Sequence, residues 1–141
     1  ITMEIIDFLF AEEQLFTTIT LLVLIALLIG NIITDKLKKY EDIDANTATA
    51  LMDDDNLIIL DVREKKERKN GYIDGDMHIP LGDVKNQFNK LDKNKSILVY
   101  CRSGSRSAHI AGLLTRNEFE NVYNLKGGIQ AWKRAKMPIK T

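Results

Sequence analysis

Between Gln14 and Thr34 the chain runs QLFTTITLLVLIALLIGNIIT, 21 residues without a charged side chain. A helix needs about 20 such residues to cross the hydrocarbon core of a bilayer. Apolar residues fall on every face, which excludes an amphipathic surface helix. The chain has 141 residues, and a domain of about 100 residues cannot bury so long a helix on all sides. The threonines can return their hydroxyls to the preceding turn, so they do not oppose insertion. The stretch therefore reads as an uncleaved single-pass anchor. A secretory leader would open on a basic region and carry a shorter apolar core. Here the flank is acidic, MEIIDFLFAEEQ, and no A-x-A-like site follows. The preceding ITMEIIDFLF has apolar residues on several faces and fits a segment lying in the membrane interface.

Charge gives the anchor a direction. Five carboxylates, Glu4, Asp7, Glu12, Glu13 and Asp35, precede the first basic residue, Lys36. The whole chain balances 20 basic against 20 acidic residues, so the part from Lys36 onward holds 20 against 15. Lys36, Lys38 and Lys39 follow the apolar run directly. The positive-inside bias then places the C-terminal part in the cytoplasm, tethered to the inner (plasma) membrane. That part lacks the arginine-rich stripe and interleaved aromatics of a nucleic-acid surface. The lipid bilayer is the simpler anionic partner, and no nucleic-acid partner is expected. The organisation expected is an N-terminal segment over 1–39, with its transmembrane helix at about 14–34, and a second domain over 40–141.

Past Tyr40 short apolar runs alternate with helical patterns. LIILDV (Leu57–Val62), SILVYC (Ser96–Cys101) and NVYNL (Asn121–Leu125) are bounded by turn residues and read as buried parallel strands. MHIPL (Met77–Leu81) is a weaker strand, cut by Pro80. DANTATALM offers Asp44 as a helix N-cap with Ala48, Leu51 and Met52 on one face. GDVKNQFNKL puts Val84, Phe88 and Leu91 at helical spacing. SRSAHIAGLLTRN sets Ala108, Ala111, Gly112 and a leucine against the sheet, with Asn117 closing the helix. GIQAWKR pairs Ile129 with Trp132. The runs REKKERK and DDD read as solvated faces and ends. The alternation predicts an α/β fold, a parallel sheet flanked by helices.

One cysteine, Cys101, is present, so no internal disulfide can form. His78 and His109 lack the companions of a structural zinc site, and no metal or cofactor is expected. His109 reads as a packing or solvent residue and His78 as a satisfied polar residue near a sheet edge. Cys101 falls at the carboxyl end of a strand, where ligand sites of parallel sheets gather. In CRSGSR, Gly104 permits a tight curl that turns successive N–H groups inward. The helix opening near Ser107 adds its unpaired N–H groups and the positive end of its dipole. Arg102 and Arg106 add two full charges. A positive, partly exposed setting favours a nucleophilic thiolate over an inert buried thiol.

These residues resemble a rhodanese domain, the module of thiosulfate and related sulfurtransferases. The likeness rests on LDVRE (Leu60–Glu64), GYIDGDMHIPL (Gly71–Leu81), VYCRSGSRS (Val99–Ser107) and NVYNLKGGIQAW (Asn121–Trp132), in family order across nearly all of 40–141. An anchor followed by one such domain is similar to membrane-attached single-domain bacterial members. Tyr72, Asp76, His78 and Glu118 depart from the family pattern, outside the active loop. The resemblance implies that Cys101 accepts a sulfane sulfur as a persulfide, held by backbone amides of Arg102, Ser103, Gly104, Ser105 and Arg106. It implies a small anionic donor such as thiosulfate, attracted by Arg102 and Arg106. The acceptor it implies is a thiol or a cyanide-like small molecule, with a protein acceptor also open. It suggests that Asp61 and Arg63 brace the loop as structural support, as does Ser107. A loop of this length is that of sulfurtransferases; related phosphatases carry one more residue. The alternative is a membrane-tethered interaction or redox-sensing module on the same fold, without turnover.

Overall fold

The computed structural model covers residues 1–141 and describes the side chains of all but Leu9, Glu13 and Asp35. It divides into two units, Ile1–Lys38 and Lys39–Thr141. In the first, α1 spans Thr2–Leu9 and α2 spans Glu12–Leu37. Within α2 the segment Gln14–Thr34 has a mean hydropathy of 2.5, none of it buried in the protein, and is long and apolar enough to cross a membrane. The hydroxyls of Thr17, Thr20 and Thr34 donate to the carbonyls of Gln14, Phe16 and Gly30 at 2.7, 2.8 and 2.8 Å. Their polarity is thus met inside the helix.

The second unit is built on five parallel strands: β1 (Glu41–Ile43), β2 (Leu57–Asp61), β3 (Met77–His78), β4 (Ser96–Tyr100) and β5 (Val122–Leu125), in the spatial order β1-β5-β4-β2-β3. Helices α3 (Ala45–Leu51), α4 (Ser105–Arg116) and α5 (Gly128–Arg134) complete it. Strand periodicity sorts β4 between two cores. Ile97 and Val99 pack with Leu60, Ile110, Leu114 and Phe119 on the α4 side. Leu98 and Tyr100 pack with Ala48, Ile73, Leu125 and Trp132 on the other. Cys101 continues the first series and so faces α4.

The α/β architecture expected from the alternation is present, and Asp44 caps α3, accepting from the Thr47 N–H at 2.8 Å. Three details differ. The edge strand β1 was not visible, because two of its three residues are exposed carboxylates. Val84 and Phe88 lie on two 3₁₀ turns, Leu81–Asn86 and Phe88–Lys90, with Leu91 closing the second, rather than on one α-helix. Leu81 with Val84, and Phe88 with Leu91, recur every third residue, the period at which 3₁₀ side chains eclipse. Finally, α4 buries Ser107, Ile110, Ala111 and Leu114. Its phase is offset from the expected Ala108 and Gly112, with Ser107 turned toward Cys101.

Candidate active site

The loop after β4 is short: Cys101 follows the strand's last residue, Tyr100, and α4 begins at Ser105. Gly104, in the left-handed region at φ +99°, makes the reversal. It brings its own N–H to 3.1 Å from the Cys101 Sγ. The Ser107 hydroxyl, in the first turn of α4, donates to the same sulfur at 3.3 Å. The loop carbonyls turn the other way. Those of Cys101 and Arg102 accept from the Ile129 and Gln130 N–H groups at 2.9 and 3.2 Å. The Gly104 carbonyl accepts from Ala108 N–H at 3.0 Å and from the Asn124 side chain at 3.4 Å. With carbonyls drawn outward, the N–H groups are left to face the sulfur, as in an anion-binding nest.

This arrangement depends on Gly128 as much as on Gly104. Gly128 opens α5 at φ +60°, and a Cβ there would lie 2.5 Å from the carbonyl carbon and oxygen of Arg102. Only a residue without a side chain lets α5 approach closely enough to hold the loop carbonyls. The glycine pair was legible as a turn, but its role in shaping the loop was not. The partners lie more than twenty residues apart, beyond the reach of local pattern.

Burial pushes the Cys101 thiol up, but it is outweighed by the Ser107 hydroxyl and by the N–H groups of Ser107, Gly104 and Ser103; the net shift is below the ordinary thiol value. Each of these donors favours the thiolate. The sulfur is not partly exposed as expected. Cys101 is 0% exposed, because the donors that stabilise the sulfur also cover it. Arg102, Ser103 and Ser105 are the exposed members of the loop.

The two arginines differ. Arg106 grips the Glu67 carboxylate through both terminal nitrogens, at 2.8 and 2.7 Å. That fork pulls Glu67 down to about 2 and raises Arg106. Among the described residues Arg102 has no side-chain partner, so it is the loop cation left unneutralised. The reading of REKKERK as solvated is corrected at two positions. The segment is a 3₁₀ helix, Lys65–Asn70, that turns Glu67 and Arg68 inward. Arg68 bridges Asp61 at 2.6 Å and Asp76 at 2.6 and 2.9 Å.

Asp61 and Arg63 sit at the end of β2, both buried. Arg63 holds Asp61 through Nε and a terminal nitrogen at 2.8 to 3.1 Å and donates to the Gly71 carbonyl at 3.0 Å. Burial raises Asp61, and the Arg63 and Arg68 contacts more than reverse it, leaving a carboxylate. Tyr100 donates to Asp76, and burial, with the Asp61 charge, keeps its phenol protonated. Two carboxylates and two guanidiniums thus form a neutral buried cluster, the setting in which a buried charge is tolerated. His78 Nε2 lies 2.7 Å from the Arg63 carbonyl, and His109 is exposed. No cluster of metal-ligating side chains exists among the described residues. An open cavity of about 310 Å³ abuts the loop, lined by Arg63, Glu67, Arg102, Ile129, Gln130 and Lys133, with Asn70 at its rim.

A buried cysteine at the strand end of a parallel sheet, with loop N–H groups turned to its sulfur, defines a sulfur- or anion-handling α/β domain. Residues 44–135 match the rhodanese-like domain family, and the chain belongs to it. It is 32% identical over 94 residues to thiosulfate sulfurtransferase GlpE of Coxiella burnetii, covering 67% of this chain and 88% of that one. It is 40% identical over 79 residues to the Bacillus subtilis protein YrkF, of which it spans 43%. The structure of a rhodanese-related protein from Thermoplasma volcanium superposes with a TM-score of 0.66 at 29% identity, covering 72% of this chain and 98% of that one. Named sulfurtransferases among its relatives support activity of that class.

Proposed function

We propose that this chain is a membrane-anchored sulfurtransferase that carries a sulfane sulfur on Cys101. The observation behind the reading is the convergence of the Gly104 N–H and the Ser107 hydroxyl on one sulfur, beside an unneutralised Arg102. In the first step the Cys101 thiolate attacks the outer sulfur of thiosulfate. An S–S bond forms, the donor S–S bond breaks, and sulfite leaves with the electron pair. In the second, the acceptor thiolate or cyanide attacks the outer persulfide sulfur and the pair returns to Cys101. Arg102 draws the dianionic donor to the loop. Arg106, already paired, acts through Glu67 to fix the first turn of α4. The backbone of residues 102–106 cradles the outer sulfur. Asp61 and Arg63 support the end of β2 beside it. The helix over 14–34 tethers the domain on the cytoplasmic side of the plasma membrane, supported by its length and by the lysines that follow it.

Mass spectrometry of the full chain in detergent, after thiosulfate, tests the chemistry. The expected result is one added sulfur on Cys101, released by cyanide as thiocyanate and absent in Cys101→Ser. Turnover equal in wild type and Cys101→Ser would falsify the reading. The complete burial of Cys101 is the one observation favouring a tethered binding or redox-sensing module; a folded protein that forms no adduct selects that alternative.

A further inference from the structure

We infer that the cavity beside the loop is the acceptor subsite and that it selects a small organic thiol bearing carboxylates, with Lys133 as its specificity-determining residue. The inference rests on the sulfurtransferase reading and adds the class of acceptor. A volume of about 310 Å³ is at the lower end of the range for organic ligands, about 300–1,000 Å³, and thiosulfate alone leaves most of it empty.

The charges of the walls do not cancel. Arg63 is neutralised by Asp61, and Glu67 by Arg106. Arg102 and Lys133 remain. Lys133 donates only to the neutral Asn70 carbonyl, at 2.8 Å. Two cations therefore face the cavity without a matching carboxylate among the described residues. They stand on different elements: Arg102 on the sulfur loop, Lys133 one turn along α5 from Ile129. The Ile129 N–H holds the Cys101 carbonyl, so this stretch of α5 leads from the sulfur to Lys133. The Gln130 side-chain amide carries no hydrogen bond among the described residues and is free to pair with an amide or carboxyl group. A bound acceptor places its thiolate at the loop and a carboxylate at Lys133. In the transfer its sulfur bonds to the outer persulfide sulfur, the S–S bond to Cys101 breaks, and the Cys101 thiolate is regenerated.

Binding of an unreactive probe separates this inference from the chemistry. S-methylglutathione, which carries two carboxylates, is titrated calorimetrically into the persulfide-free full chain in detergent, with its N-acetyl dimethyl ester as the uncharged control and N-acetyl-S-methylglutathione as the matching acid. The acid is expected to bind at least tenfold more tightly than the ester. Lys133→Gln, which retains a donor for the Asn70 carbonyl, is expected to weaken the acid at least fivefold and the ester less than twofold. Lys133→Arg is expected to restore it. Equal binding of acid and ester, no binding, or an unchanged acid affinity in a folded Lys133→Gln overturns the inference. The thiosulfate adduct on Cys101, measured on the same preparation, decides the sulfurtransferase reading independently.

Discussion

Ser107→Ala isolates the contact that most directly favours the reactive form of the sulfur. The hydroxyl donates to Sγ at 3.3 Å from inside a buried site, and the donor it replaces is not available from solvent. A hydrogen bond to a charged group is worth about 1.5–3 kcal/mol. Losing it lowers the thiolate-to-thiol ratio at fixed pH by roughly 12–160-fold. The remaining thiolate is more basic and so more nucleophilic, which returns about threefold of each tenfold lost. The net fall in persulfide formation is therefore about 3–15-fold at pH values below the thiol midpoint. Above the midpoints of both proteins the ionisation difference vanishes and the variant, with the more basic thiolate, should be the faster by about 3–10-fold. Because Cys101 is the only cysteine, ultraviolet titration of the thiolate reads it without interference. Stopped-flow mixing with thiosulfate across pH gives the rate. Ser107→Thr, which keeps the hydroxyl, should behave as wild type. An unmoved thiolate titration in Ser107→Ala, or a rate loss of the same size at every pH, would refute the reasoning and make Ser107 a packing residue.

Gly128→Ala places a Cβ 2.5 Å from the Arg102 backbone; with left-handed strain it should cost about 2–5 kcal/mol in urea unfolding and slow persulfide formation more than thermal melting alone explains, whereas Gly30→Ala, with nothing within 4 Å, should change neither. Glu118 holds φ +69° just after α4, so Glu118→Gly should stabilise by up to about 1 kcal/mol, relief of the left-handed penalty exceeding the entropy glycine adds to the unfolded chain; a lower midpoint in denaturant counts against this. Glu67 is depressed from 4.5 to about 2, so the unfolded chain binds its proton first on acidification; the pair's contribution is complete above 4.5 and lost as pH falls toward 2. Glu67→Gln should accordingly flatten the stability profile between those values, as measured by urea unfolding at each pH, and a profile parallel to wild type argues against the pairing.

What could be read from the chain divides by the range of the interaction. Strands β2, β4 and β5 announce themselves because a strand buried on both faces must be a continuous apolar run. Cys101, Gly104 and Ser107 lie within one strand–turn–helix, and local sequence placed them together, although Ser107 read as support for the helix start and not as a donor to the sulfur. Glu67 and Arg68 were misread because a charge run has the same appearance whether solvated or turned inward. Their burial is decided by Arg106, 39 residues later, and by Asp61 and Asp76 on other segments. Asp76 likewise looked like a departure from the family pattern and proves to be the acceptor for both Arg68 and Tyr100. Gly128 belongs to the same class: its need for a missing side chain is set by the Arg102 carbonyl, not by its neighbours in sequence.

The full burial of Cys101 follows from the same geometry that makes it acidic. A sulfur ringed by N–H donors loses water on every side those donors occupy, so stabilisation and concealment arise together. A donor molecule reaches it only if part of the ring yields. The Asp61–Arg63–Arg68–Asp76 cluster is cross-linked through both guanidiniums and fixes the end of β2. The crest at Arg102 and Ser103 is exposed, and the Gln130 N–H holds it through a 3.2 Å contact to the Arg102 carbonyl. The Cys101 carbonyl is tied to Ile129 at 2.9 Å and Ser107 is anchored within α4. The Cys101 backbone and its Ser107 donor are thus held by separate elements, α5 and α4. The cation carried on that crest, Arg102, has no side-chain partner among the described residues, so the loop presents positive charge at its surface while the sulfur lies behind it.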